Sequence, residues 1–168
     1  MHSYIKIVNK ISEVSGDILM WFSWMLTAII MWEIIVRTLF NAPTTWAHEA
    51  SVMVFGALSI LSGAYTHRYR GHVNMDLFYT NRTLRQKAVM DVISFPFFLV
   101  FAVTMIWLGW EFAYRSVIIL EISQSDWAPP LWPLKLTIPL GSVLLLLQGF
   151  SNLFTDIYIA VTGKEVKA

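Results

Sequence analysis

Four long apolar runs separated by polar joints constrain this chain more than any other feature. The first, Ile18 to Phe40, holds 23 residues and carries only Glu33 and Arg37 as charges. At 1.5 Å per residue such a run crosses a hydrocarbon core of roughly 30 Å with some tilt. Water is absent there, so the backbone must satisfy its own hydrogen bonds, and an apolar run of this length is a helix. The same reading gives further spans over about 46–66, 88–110 and 131–158. The fold class expected is all-α, a single membrane domain over residues 1–168 with four transmembrane helices.

Composition agrees with that reading and excludes others. Hydrophobic residues make up 57% of the chain and charged residues 14%, outside the range of soluble domains. The net charge of +1 is spread over several joints rather than pooled on one face, so no nucleic-acid partner is implied. The chain has no cysteine, hence no disulfide, thiolate metal site or redox pair. H-E-x-x-H, Walker, G-x-S-x-G and nucleophile-carboxylate patterns are all missing, so the chain is not expected to be an enzyme.

Ahead of the first span, Ile5, Val8, Ile11 and Val14 recur every third residue among Lys6, Asn9, Lys10 and Glu13. This predicts a short amphipathic helix lying in the interface. The apolar run behind it is too long for a signal-peptide core and is expected to stay attached. In the second span Gly56, Ala57, Ser59, Ser62, Gly63 and Ala64 offer a face for close helix contact. Pro96 falls inside the third span, Pro133 suits the first turn of the fourth, and Pro139 with Gly141 should bend it.

Basic residues set the orientation. Lys6, Lys10, Arg68, Arg70, Arg82, Arg85, Lys87, Lys164 and Lys167 fall on one side, nine against the three of Arg37, Arg115 and Lys135, so both termini are expected in the cytoplasm. Tryptophans favour the other side: Trp46, Trp107, Trp110, Trp127 and Trp132 lie near the outer interface. The polar stretch from Gly63 to Tyr79 joins the two apolar halves on the basic side.

Charges inside spans need partners or a wet cavity, since each costs roughly 2.5 to 3.5 kcal/mol at a helix centre. Glu33 and Arg37 stand four apart, on one helical face. Glu49, one turn into the second span, is expected at similar depth, which predicts a structural cluster of Glu33, Arg37 and Glu49 with His48 beside it. Glu111 and Arg115 repeat the spacing at the outer end of the third span. Lys135, opening the fourth, is expected to answer Glu111 or Glu49. Haem ligation would need histidines at one depth, but His48 and His67 are 19 residues apart, about 28 Å along a helix. No metal site or cofactor is expected. On the residues alone, a membrane-anchor electron carrier and a small homo-oligomeric transporter stand as alternatives to a scaffold subunit.

An ordered set of short motifs narrows this further. EIIVR (Glu33 to Arg37), NAP (Asn41 to Pro43), WAHE (Trp46 to Glu49), LSGAYTHR (Leu61 to Arg68), HVNMD (His72 to Asp76), SDWAPPLWPLK (Ser125 to Lys135) and IPLG (Ile138 to Gly141) follow one another along the chain. In that order they resemble the small membrane subunit of tripartite ATP-independent periplasmic (TRAP) transporters, the DctQ-like family, over about Asp17 to Tyr158. The resemblance implies a bacterial inner-membrane permease subunit for sodium-driven uptake of an organic acid. Its partners would be a larger multi-span DctM-like subunit that holds sodium and substrate, and a periplasmic substrate-binding protein. No sodium or substrate ligand carries over onto this chain.

Two surfaces follow as expectations. The outer joint, with Glu121, Asp126, Trp127 and Trp132, is a candidate contact for the binding protein. On the inner side Arg68, Arg70, Arg82, Arg85 and Lys87, with His72 and Asp76, make a basic belt for phospholipid at the seam with the larger subunit.

Overall fold

The computed structural model describes residues 2–69 and 82–163, with side chains from Tyr4 onward. Four helices make up the described chain: α1 (His2–Phe40), α2 (Ala47–Arg68), α3 (Leu84–Ile118) and α4 (Trp132–Thr162). Each contains a stretch long and apolar enough to cross a membrane.

Local chemistry sets the helix ends. Asn41 enters the left-handed region at φ 50° and stops α1, a conformation that asparagine tolerates better than most residues. A capping box opens α3: the Gln86 N–H donates to the Thr83 hydroxyl at 3.4 Å, and the Thr83 N–H donates to the Gln86 side-chain oxygen at 3.1 Å. Proline in the first turn opens α4, and Gly163, at φ 68°, closes it. Pro96 and Pro139 both stay inside continuous helices.

The helices stand in an open row, α1, α2, α4, α3, with α1 also reaching α4. Arg68 at the end of α2 meets Asn9 of α1, and Arg85 at the start of α3 meets Ala160 of α4, so each hairpin is antiparallel. Gly56 lies beside Leu134, Gly141 against Ile60, and Asn152 bonds His67; α2 and α4 therefore run parallel. One end of the row thus collects the start of α1, the end of α2, the start of α3 and the end of α4.

Small residues form the seams. On α3 the buried positions are Ala88, Ala102, Gly109, Ala113 and Ser116; on α2 they are Ala47, Ala50, Ala57 and Ala64. In lipid no hydrophobic force draws two apolar helices together, so close backbone approach supplies the attraction. Gly141 shows how close: a Cβ there would stand 2.9 Å from the Ile60 carbonyl oxygen. The large side chains point the other way, with Phe97 79% and Trp107 73% exposed on the isolated chain.

The amphipathic N-terminal segment differs from expectation. It is helical, but it continues into the first span without a break, as one helix of 39 residues. Its buried positions are Ile5, Val8, Ser12 and Leu19, whereas Ile11 and Val14 face outward. A spacing of three falls 60° short of a full turn at each step, so the expected stripe winds off the face within two turns. The helix that holds the third expected span, 88–110, is longer than that span and runs over Leu84–Ile118.

Candidate functional site

Polar side chains gather at the two ends of the row. At the α1–α2 end, Arg37 donates twice to one oxygen of Glu33, from Nη2 at 2.6 Å and Nε at 3.0 Å. The other Glu33 oxygen accepts the Thr44 N–H at 3.2 Å and the Thr44 hydroxyl. Glu33 therefore fastens the turn between α1 and α2, and its side chain is 15% exposed against 63% for Arg37. His48 lines the same shallow hollow as this pair.

Glu49 does not join them. Its carboxylate accepts the hydroxyl of Ser125, in the loop between α3 and α4, and among the described residues no ion pair links it to Arg37. The expected three-residue cluster is thus two separate contacts: Thr44 occupies the second oxygen of Glu33, and a distant loop reaches Glu49 instead.

That loop is a folded structure. The Ser123 N–H donates to the Pro129 carbonyl and the Leu131 N–H to the Glu121 carbonyl, both at 2.9 Å, and Ile122 pairs with Pro130 in an isolated antiparallel bridge. Leu120 and Ala128 each take φ 47° to make the reversals. Trp127 packs obliquely on Trp46 with ring centroids 6.3 Å apart. Lys135 answers neither Glu111 nor Glu49. Its Nζ donates to Glu121 at 2.5 Å and sits 4.1 Å from the centre of the Phe112 ring. Chain reversal after α3 brings Glu121 back over the first turn of α4, a local partner that spacing along the spans did not include. The Lys135 ammonium holds the Glu121 carboxyl below the usual carboxylate range. Glu111 and Arg115 pair with each other at 2.5 Å on the exposed side of α3. Asp126 and Trp127 are exposed, and Trp132 is half-buried.

At the opposite end a buried amide organises three helices. Gln148 of α4 is fully buried. Its carbonyl accepts the Ser12 hydroxyl at 2.7 Å, and its amide donates to the side chains of Asn9 and Asn152, each at 3.1 Å. Asn152 donates onward to the His67 carbonyl at 2.9 Å, and the Tyr4 hydroxyl donates to the Leu147 carbonyl at 3.2 Å. Arg68 closes the group by donating to the Asn9 carbonyl at 2.6 Å and pairing with Glu13 at 3.3 Å. Beside it, between α2, α3 and α4, lies a cavity of about 310 Å³ whose lining includes His67, Asp91, Phe98, Asn152 and Asp156. The His67 ring stacks on Phe98 at 4.9 Å, 3° from parallel.

Charged pairs within the spans do not point to this buried amide group. The signal was present as Gln148 and Asn152, two amides four apart within an apolar run, and as the acids Asp91 and Asp156 near helix ends. Of the expected basic belt, Arg68 turns inward, Arg82 and Arg85 are exposed and Lys87 is half-exposed. Arg70, His72 and Asp76 lie outside the described residues.

Apolar helices with large side chains outward, tied to one another by polar contacts at both ends, define a multi-pass membrane protein. The family model for the DctQ component of tripartite ATP-independent periplasmic transporters matches residues 26–158, and the chain belongs to that family. It is similar to the sialic acid TRAP transporter small permease protein SiaQ of Vibrio cholerae, with 28% identity over 155 residues that cover 89% of this chain and 83% of that protein. Members of this family are transporter permease subunits, not enzymes.

Proposed function

We propose that this chain is the small permease subunit of a sodium-coupled, binding-protein-dependent secondary transporter for organic acids in the bacterial inner membrane. Both termini are cytoplasmic, and the chain extends the static scaffold of a larger DctM-like subunit, which carries the sodium and substrate sites. The single observation behind the scaffold role is the contrast between ends and flanks. Polar groups tie helix to helix at one end and connecting segments to helix starts and ends at the other, while almost none of the apolar stretch of α1 or α3 is buried within the chain. A row fastened in this way suits a fixed support with flanks free for a partner and lipid. The sialic acid in the name of the Vibrio cholerae relative is itself an organic acid, which supports that substrate class.

The outer loop supplies the second contact. Asp126 and Trp127 sit exposed on a loop anchored through Ser125 and Trp127 to the start of α2 and through Glu121 to the start of α4, a preorganised surface for a periplasmic binding protein. Glu121 is the anchor rather than the contact, because Lys135 already holds it.

Proteoliposomes holding the larger subunit, with and without this chain, test the reading. Sodium-gradient uptake in the presence of the binding protein is expected only when both membrane chains are present. Uptake at full rate without this chain, or by this chain alone, contradicts it.

A further inference from the structure

The basic residues at the end of the row where α2 stops and α3 starts do not act as one surface. Arg68 is committed to Asn9 and Glu13. Arg82 and Arg85 instead flank a groove of about 420 Å³ at the start of α3, lined also by Gln86, Val89 and Met90. The Arg85 Nε–H donates to the Ala160 carbonyl at 2.7 Å, which pins the guanidinium and leaves its two terminal amino groups as donors.

Depth decides what such a groove meets. The 35 residues of α3 extend about 52 Å, against a hydrocarbon core of roughly 30 Å. A helix centred on that core overhangs each side by about seven residues, so the segment from Leu84 to Met90 stands at headgroup level. Arg85 and Gln86 occupy its outer part, with Arg82 just ahead of it, and Val89 and Met90 lie one turn deeper. We propose that this groove binds an anionic phospholipid, the phosphate held by Arg82, Arg85 and Gln86, and the start of an acyl chain laid along Val89 and Met90. A free phosphate shares the guanidinium chemistry but makes no use of the two apolar side chains.

Native mass spectrometry of the full chain in mild detergent tests this, with phosphatidylglycerol, phosphatidylcholine and inorganic phosphate as probes. One phosphatidylglycerol per chain is expected to be retained preferentially over phosphatidylcholine. At roughly 1 kcal/mol per basic residue near a charged headgroup, its affinity should fall about fivefold in Arg82→Gln and about thirtyfold in Arg82→Gln/Arg85→Gln. Arg115→Gln, at the other end of α3, should leave it unchanged. Arg85 also ties α3 to α4, so Arg82→Gln and Val89→Asn, which leave that tie intact, carry the test if the double variant misfolds. Val89→Asn should weaken the lipid too. Equal retention of the two lipids, or affinity unaffected by Arg82→Gln, overturns the proposal. Full competition by inorganic phosphate with no effect of Val89→Asn also overturns it, and leaves a soluble phosphate site.

Discussion

The Ser12 hydroxyl donates to the Gln148 side-chain carbonyl at 2.7 Å, in a buried contact between residues 136 apart in sequence. This bond joins the first helix to the last, and the Gln148 amide spreads the connection to Asn9 and Asn152. A buried amide with partners on every side specifies one register of α1 against α4, because any slip leaves several groups unpaired where little water reaches them.

Replacing Gln148 by Leu should therefore loosen α1 from α4 while leaving the helices intact. Interhelical hydrogen bonds in membrane proteins contribute about 0.6 to 1.7 kcal/mol each. A double-mutant cycle between Gln148→Leu and Ser12→Ala, followed by unfolding in mixed detergent, should give a coupling energy in that range. Additive effects would show that the two side chains are independent.

The two members of the Glu33–Arg37 pair are unequal. Glu33 also holds Thr44, so Glu33→Ala should lower thermal stability more than Arg37→Ala. Apolar replacement of both should impair assembly or uptake. Exchanging the charges should restore them only in part, because the carboxylate moves away from Thr44. Unimpaired uptake in the double apolar variant would remove any role for the pair.

The loop between α3 and α4 should respond to acid through Glu121. Lys135 lowers its folded pKa, so this contribution is complete above the ordinary carboxylate range and is lost as pH falls through the lowered value. Lys135→Met removes the cation and should shift loop opening to higher pH, while Glu121→Gln should abolish this part of the acid dependence. Hydrogen exchange of residues 119–131, corrected for intrinsic rates, reads both effects. Identical profiles in all three proteins would contradict the assignment.

Close packing makes glycines inequivalent. A Cβ on Gly141 would meet the Ile60 backbone at 2.9 Å, whereas one on Gly56 finds its nearest atom, Leu134 Cδ1, at 3.8 Å. Gly141→Ala should destabilise the α2–α4 seam by about 1 to 3 kcal/mol, in the range of overpacking. Gly56→Ala should be neutral or slightly stabilising through helix propensity. Thermal midpoints of the two variants, measured in one detergent, decide the point.

Much of this architecture was legible from local patterns. Apolar length marked the four helices, and four-residue spacing marked Glu33 with Arg37 and Glu111 with Arg115, because a helix makes those pairs neighbours wherever it sits. Contacts that depend on how helices and loops come together were not legible. Glu49 finds Ser125, and Lys135 finds Glu121, only after the 119–131 loop reverses through left-handed Leu120 and Ala128. Ser12, which the expected amphipathic helix left unassigned, is buried against Gln148, since α4 offered an amide rather than an aliphatic surface.

The central claim, a small subunit built to support a larger one, is tested most directly by purifying the tagged full chain from its native membrane in mild detergent. Mass spectrometry should then identify what accompanies it. The account predicts a stoichiometric, much larger multi-span protein of the DctM-like kind. Recovery of the chain only with copies of itself would contradict it.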